Sequence, residues 1–435
     1  MVNSMPPVFR VYAYRLANAA WCGRLLSVAA SCLEPTIRAL PAALFFLSSL
    51  SCLNFPLSAE PSSGNGLISS SKYLWSIPEV TVLEVAPATN GTAVLLLQDR
   101  EKRLALSIGA SELSTGTRVP ILSAKMLAAS AIHLAVAADG SLWVGGTQNI
   151  RRSIGGAPLS DGYIAKLDPA GHVIREIEVA RNRDNTIADI AVLPSGDAVI
   201  VGREDDASWL ARISGDGEIV WEKTFGAGKI ASVTVLNDLI AVVAFEAVDG
   251  HPVGAAVRVA LWRFETEGRL LVDRQLVREE PAQNPSSAWL MKVVSGRGDL
   301  YAATAWTEPW SKPPSAKPLS VARITPKGQI IWQKDVPDTV VPGRLGPMPC
   351  PRTVVAPLDG GLITFCVAAE GTNLFYLERA TAQITRDLLP NTVERVCDGS
   401  NGRASFMLPH SDSSILIFGT GGSCSWLQKV QLRKK

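Results

Sequence analysis

Side chains able to do acid–base, nucleophilic or metal chemistry are sparse in this chain of 435 residues, which holds 40 acidic and 42 basic residues but only 4 histidines. None of His133, His172, His251 and His410 has another histidine or a cysteine beside it in sequence, so the clustered ligands of a metal site are missing and no metal is expected. His133 alternates with apolar residues and reads as packed within a strand, whereas His172 follows a turn glycine and reads as solvated. Glu204, Asp205 and Asp206 form the one conspicuous acidic run. A glycosidase needs two carboxylates held apart across a cleft, and neighbouring loop acids are ordinarily just solvated. There is no G-x-S-x-G nucleophile elbow and no phosphate-binding P-loop. No cofactor is expected, and no catalytic residue is assigned.

Cysteine chemistry says more. Of the seven cysteines, Cys22, Cys32 and Cys52 fall within the first 59 residues, and Cys350, Cys366, Cys397 and Cys424 fall near the end. An even number in the later part of an exported chain reads as two disulfides. A four-cysteine zinc site is the competing reading, but no C-x-x-C knuckle is present. The expected pairs are Cys350–Cys366 and Cys397–Cys424, each within one structural repeat. Cys366–Cys397 is the runner-up.

Export itself is read from residues 1–59. Arg10, Arg15, Arg24 and Arg38 precede an apolar stretch over 39–59 that ends in small side chains. That is the pattern of a secretory leader, with cleavage expected after Ala59 and a periplasmic or extracellular destination. An uncleaved anchor is the alternative, although Pro41, Pro56 and several serines make a poor membrane span. Removing the leader changes the formal charge from +2 to −1. This near-neutral balance, with only 19% charged residues, argues against nucleic acid as a partner. Membrane contact is expected only through a retained leader.

The elements that must position any site come from a repeat in residues 60–435. Tyr163-Ile-Ala-Lys166 through Gly171 is followed by Trp209-Leu-Ala-Arg212 through Gly217 and Trp221. Ala260-Leu-Trp-Arg263 through Gly268 comes next, and then Ser320-Val-Ala-Arg323 through Gly328 and Trp332. Each copy is an apolar strand, a turn closed by glycine and a second strand, which predicts a β-hairpin. Weaker copies at Leu104, Phe375 and Trp426 extend the series to seven, spaced about 54 residues apart. A further hairpin precedes the better copies, as at Ile187 to Val201. Two hairpins per repeat predict an all-β, seven-bladed β-propeller. The last repeat lacks an outer strand, and Lys72-Tyr-Leu-Trp75 resembles one. The N-terminal strand is therefore expected to complete the last blade and close the ring.

Ala211, Gly217 and Trp221 recur with the same spacing as Ala322, Gly328 and Trp332. This resembles the tryptophan-docking repeat of quinoprotein-like β-propellers and the looser repeats of exported bacterial propellers, over roughly residues 70–432. The copies depart from the pattern in places: Trp262 stands in the alanine slot, and the Phe375 copy lacks the glycine. The resemblance implies that these tryptophans cover the neighbouring blade. It does not carry redox activity, because neither the adjacent Cys-Cys pair of the quinone-dependent dehydrogenases nor a D-x-[DN]-x-[DN]-G calcium loop is present. An envelope propeller that scaffolds outer-membrane protein assembly is the nearer comparison, at the level of fold.

Loop length supplies the candidate binding residues. The connection between second and third strands is long at 148–161, with Arg151 and Arg152, at 246–254, with Asp249 and His251, and at 306–317, with Trp306, Glu308 and Trp310. These connections share one propeller face, and such exposed side chains on a rigid scaffold suit recognition. Ordinary surface variation is the competing reading. The expected function is a binding or scaffold module that meets a protein or saccharide partner on this face. The alternative is a hydrolase or lyase acting on a saccharide-like substrate in the axial channel, which a convergence of carboxylates or histidine there would favour.

Overall fold

The computed structural model describes residues 67–433, apart from 89–90, 112–113, 122–128, 151–158, 180–184, 205–206, 228–229, 248–256, 281–286, 309–314, 344–345, 351–354, 359, 368–370, 391–402, 412 and 422–423. The chain divides into two units, Met1–Pro61 and Ser62–Lys435. The expected leader and its cleavage point lie outside the described residues.

Strand propensity, alternating burial and glycine turns yield an all-β molecule. Seven antiparallel sheets form a ring of blades. In chain order the first strands of blades 1 to 7 are Val80–Pro87, Ala129–Val136, Asn185–Val192, Ile230–Leu236, Ser287–Gly296, Val355–Leu358 and Arg403–Ser411. Each of these inner strands contacts that of the next blade, and Arg403–Ser411 returns to Val80–Pro87. In blade 3, Ala198–Glu204, Ala207–Ile213 and Ile219–Ala227 follow outward from Asn185–Val192, and most other blades repeat this order. A small hairpin, Val340–Gly343 with Gly346–Pro349, lies in the chain between blades 5 and 6. Among the described residues, no helix is long and apolar enough to cross a membrane.

Ring closure follows the expected route. Ile68–Pro78 pairs antiparallel with Cys424–Leu432 and forms the outer strand of blade 7. Ser425 Oγ donates to the Val80 carbonyl at 2.8 Å and accepts from the Val82 N–H at 3.0 Å, tying that blade to blade 1.

The repeating basic and aromatic residues are joints between blades. Lys166 Nζ donates to Gly215 O at 2.7 Å, and Arg212 Nη1 to Thr266 O at 3.0 Å. Arg263 Nη1 donates to Pro326 O at 2.6 Å, and Arg323 Nη1 to Arg379 O at 2.7 Å. In every case the acceptor is a carbonyl in a turn of the following blade. Trp221 and Trp332 donate Nε1–H to the same two carbonyls that Arg212 and Arg323 use, Thr266 at 2.8 Å and Arg379 at 2.9 Å. Both rings are half-buried rather than deep in the core, because they cap the seam from outside. Gly268 lies under Trp221. Its φ is +82°, and an added Cβ would sit 2.7 Å from the ring, so a side chain there would both strain the turn and lift the cap.

Cys350 and Cys366 are disulfide-bonded with a Cα separation of 5.5 Å, as expected. Cys424 is also disulfide-bonded, but its expected partner Cys397 lies outside the described residues.

Candidate functional site

The inner strands carry a shared irregularity that shapes the axis. In blade 1, Val82 pairs with Leu97 but Glu84 pairs with Leu96, so Leu83 is an extra residue. The pairing slips in the same way before His133, Asp189, Ser232 and Phe406 in blades 2, 3, 4 and 7. Such a bulge re-aims the side chains that follow it. Blade 5 slips earlier, between Ala288 and Leu290, yet Lys292 stands four residues before the turn-closing pair Gly296 and Asp299, as Ser232 stands four before Leu236 and Leu239. Five consecutive blades thus place Glu84, His133, Asp189, Ser232 and Lys292 at one level, and Phe406 of blade 7 completes the described part of that ring.

The inner strands of all seven blades line an axial cavity of about 530 Å³, and Glu84, Asp189, Lys292 and Phe406 are among its walls. One residue further along each strand, Val85, Leu134, Ile190, Val233, Val293 and Met407 are buried in the seams between blades. Two residues further, Ala86, Ala135, Ala191, Thr234, Val294 and Leu408 form a mostly small, apolar tier. Each inner strand starts at the face that carries the connection between second and third strands, because Asn185 pairs with Glu204. The polar tier is therefore the one nearer the long-loop face.

Asp189 organises one side of this tier. Its Oδ2 accepts from Ser232 Oγ at 2.6 Å, from Lys292 Nζ at 2.8 Å and from the Val233 N–H at 3.1 Å, while Oδ1 accepts from the Ile190 N–H at 3.0 Å. Lys292 retains 41% of its side-chain surface although protein surrounds it, because the surface it keeps belongs to the cavity. Burial works to raise the Asp189 pKa, but Lys292, His133 and the hydrogen bonds outweigh it and hold the carboxyl below its ordinary range. Burial likewise opposes the Lys292 charge, yet Asp189 and Glu84 outweigh it and hold the ammonium above its ordinary value. Burial lowers the His133 pKa from its ordinary 6.5 and favours the neutral imidazole. Glu84 is pushed up to about 7, chiefly by burial, with Lys292 pulling in the opposite direction. A carboxyl tuned to neutrality beside a fixed ion pair can exchange a proton at physiological pH.

The expected loop residues are placed only in part. Arg151, Arg152, Asp249, His251 and Trp310 lie outside the described residues. Trp306 and Glu308 are strand residues rather than loop residues, since the second strand of blade 5 runs from Asp299 to Glu308 and Glu308 pairs with Ser315. The connection at 148–161 is shortened in the same way, because pairing continues to Ile150 and Leu159. Cross-strand hydrogen bonding carries these hairpins beyond the points at which sequence patterning ends them. Glu204 remains at the end of a strand in blade 3, and His172 is 74% exposed and pairs with Asp168 at 3.0 Å, solvated as expected. Among the described residues no group of three histidines, cysteines or acids could hold a metal ion.

Glu84, Asp189, Ser232 and Lys292 were not singled out by sequence reasoning, and His133 was read only as packed. A signal existed. Glu84-Val-Ala, His133-Leu-Ala-Val, Asp189-Ile-Ala-Val, Ser232-Val-Thr-Val and Lys292-Val-Val each show one polar residue just before a short apolar run. Aligning the repeats on their first strands would have stacked these residues in a single column.

No family model matches the chain, and no curated protein matches it. Solved structures do. The polysaccharide lyase Uly1 aligns over 85% of this chain and 94% of its own, with a TM-score of 0.54 at 11% identity. The β-propeller domain of the Trilobed protease from Pyrococcus furiosus covers 82% of this chain and 96% of its own, with a TM-score of 0.46 at 9% identity. The WD40 domain of SCAP from fission yeast covers 83% and 98%, with a TM-score of 0.42 at 7% identity. At 11% identity the likeness to Uly1 is one of fold alone.

Proposed function

We propose that this protein is an exported binding module that takes a small polar ligand into its axial channel from the long-loop face. The observation that carries the reading is the polar tier. Glu84, His133, Asp189, Ser232 and Lys292 come to one level, and Glu84, Asp189 and Lys292 line a cavity whose other walls are mostly apolar. A volume of about 530 Å³ falls in the range that small-molecule sites use. Trp306 and Glu308, at the end of the second strand of blade 5, then stand on the face that a larger protein or saccharide partner would meet. The seam contacts of Trp221 and Trp332 support the reading of the repeat as a tryptophan-docking type. The Cys350–Cys366 disulfide supports export, since such bonds persist in oxidising compartments.

Saccharides and polyols are the first ligands to test, because the likewise folded Uly1 is a polysaccharide lyase. Saturation-transfer NMR with a panel of sugars should detect binding. Ala191→Phe and Thr234→Phe, which narrow the channel on different blades, should each abolish it while the cooperative melt is retained. Binding that survives both plugs would place the ligand outside the channel.

A second reading is favoured by one observation, the upward shift of Glu84 to about 7. A general acid or base works best with a pKa near the working pH. In that reading the protein is a hydrolase or lyase on a saccharide-like substrate, with Glu84 exchanging the proton. Catalysed appearance of new reducing ends, lost in Glu84→Gln, would establish it.

A further inference from the structure

The two sides of the polar tier differ in how completely they are satisfied. On one side, Asp189 engages both carboxylate oxygens within the protein and neutralises Lys292. On the other stands Glu84, whose Oε1 accepts a long bond of 3.3 Å from the Val85 N–H. Among the described side chains, with Lys292 matched by Asp189, an ionised Glu84 leaves one negative charge over in the channel. A carboxylate withdrawn from bulk water without a matched cation gains strongly from a cationic ligand. Phe406 stands at the same level on blade 7, the blade next to that of Glu84, and also lines the cavity. An aromatic face beside a carboxylate is a favourable seat for an ammonium group. Beneath this seat lies the apolar tier, where Ala86 and Ala135 leave room for the body of a ligand.

Resting on the channel reading above, we propose that the Glu84 side of the tier receives a protonated amine, so that the ligand class is a small cationic amino-polyol or amino sugar. The ammonium binds the Glu84 carboxylate with the Phe406 ring beside it, and the hydroxyl-bearing body faces Asp189 and Lys292. A ligand carboxylate is disfavoured, since it would meet Glu84 and find Lys292 already held by Asp189.

This arrangement links binding to a proton. The titratable groups facing Glu84 among the described side chains are Lys292, Asp189 and, from blade 2, His133. Between pH 6.5 and 8 each of their shifts runs away from the window: Lys292 upward, Asp189 downward and His133 downward from 6.5. Glu84 is the group that changes over that window. A cation binding near neutral pH therefore displaces the Glu84 proton, and affinity rises with pH.

The test uses three matched six-carbon probes, glucamine, sorbitol and gluconate, titrated calorimetrically into the purified protein at pH 6 and pH 8 in two buffers of different ionisation enthalpy. At pH 8 glucamine should bind at least about tenfold tighter than sorbitol, as a charge-assisted bond does, and gluconate should bind weakest. At pH 6 the preference should shrink and proton release should become measurable. Glu84→Gln should abolish the preference of glucamine over sorbitol at pH 8. Sorbitol binding as tightly as glucamine, or a preference that survives in Glu84→Gln, would overturn the amine assignment and leave the channel reading standing. Failure of all three probes to bind would overturn both.

Discussion

The seams between blades and the tier at the axis are built on the same repeat, yet they use it in opposite ways. At the seams one position does one job again and again. Lys166, Arg212, Arg263 and Arg323 each reach a turn carbonyl of the following blade, and Trp221 and Trp332 repeat the contact from outside. At the axis one position carries a different residue in every described blade: Glu84, His133, Asp189, Ser232, Lys292 and Phe406. A ring of like blades needs like joints, whereas a ligand site needs unlike groups converging on one point. The repeat is thus regular where it holds the molecule together and irregular where it offers chemistry.

The comparison predicts that substitutions at the joints cost stability and leave the channel competent, with the reverse at the axis. The largest effect is expected from deleting residues 60–78, which strips the outer strand from blade 7 and removes the Trp75 bond to the Ser111 carbonyl. Calorimetry should show the single cooperative transition lost or lowered by well over about 10 °C, far beyond the few degrees a single substitution produces. An unchanged melt would mean that closure through this strand is dispensable.

A smaller effect is expected at one seam. Trp221→Ala should cost about 2–3 kcal/mol by denaturant titration, somewhat below a fully buried large-to-small change, because the ring is half-buried. Gly268→Ala should also destabilise. Combined with Trp221→Ala it should add little, since the cap it would displace is already gone. Full additivity of the two would show that the ring and the glycine do not act as one joint.

The smallest effect is expected at the axis and is read through pH. Glu84 holds its proton in the folded state from its ordinary 4.5 up to about 7. The folded state therefore binds more protons than the unfolded one across this window, and stability falls as pH rises through it. The melting temperature of the wild type should decline relative to Glu84→Gln between pH 4.5 and 7 and run parallel to it at higher pH. Parallel curves throughout would show that Glu84 is not the group retaining the proton.

How far the sequence could be read follows from the same contrast. The glycine turns, the basic residue of the four better third strands and the orphan strand around Trp75 were legible because they recur or complete a recurrence. The Cys350–Cys366 bond was legible because a hairpin register brings its ends together. Glu84, Asp189 and Lys292 escaped because each is a lone polar residue in an apolar strand, and only closure of the ring makes them neighbours. Asp189 and Lys292 are 103 residues apart along the chain. The edges of the long hairpins were misjudged for a different reason, since hydrogen bonding extended the strands over residues such as Trp306 and Glu308 that looked like loop.

The pairing of Ile68–Pro78 with Cys424–Leu432 also fixes an order of events during biosynthesis. The first strand of the ring to be made is the last to find its partner, and the linked bond from Ser425 to Val80 spans 345 residues. At synthesis rates of about 5–20 residues per second, that strand waits on the order of tens of seconds as an unpaired edge. Its opening, Ile68-Ser-Ser-Ser-Lys72, is polar at the points where a waiting edge would otherwise recruit another chain. Blades 1 to 6 have their own four strands in hand well before then, so the final docking locks a nearly complete ring rather than nucleating one.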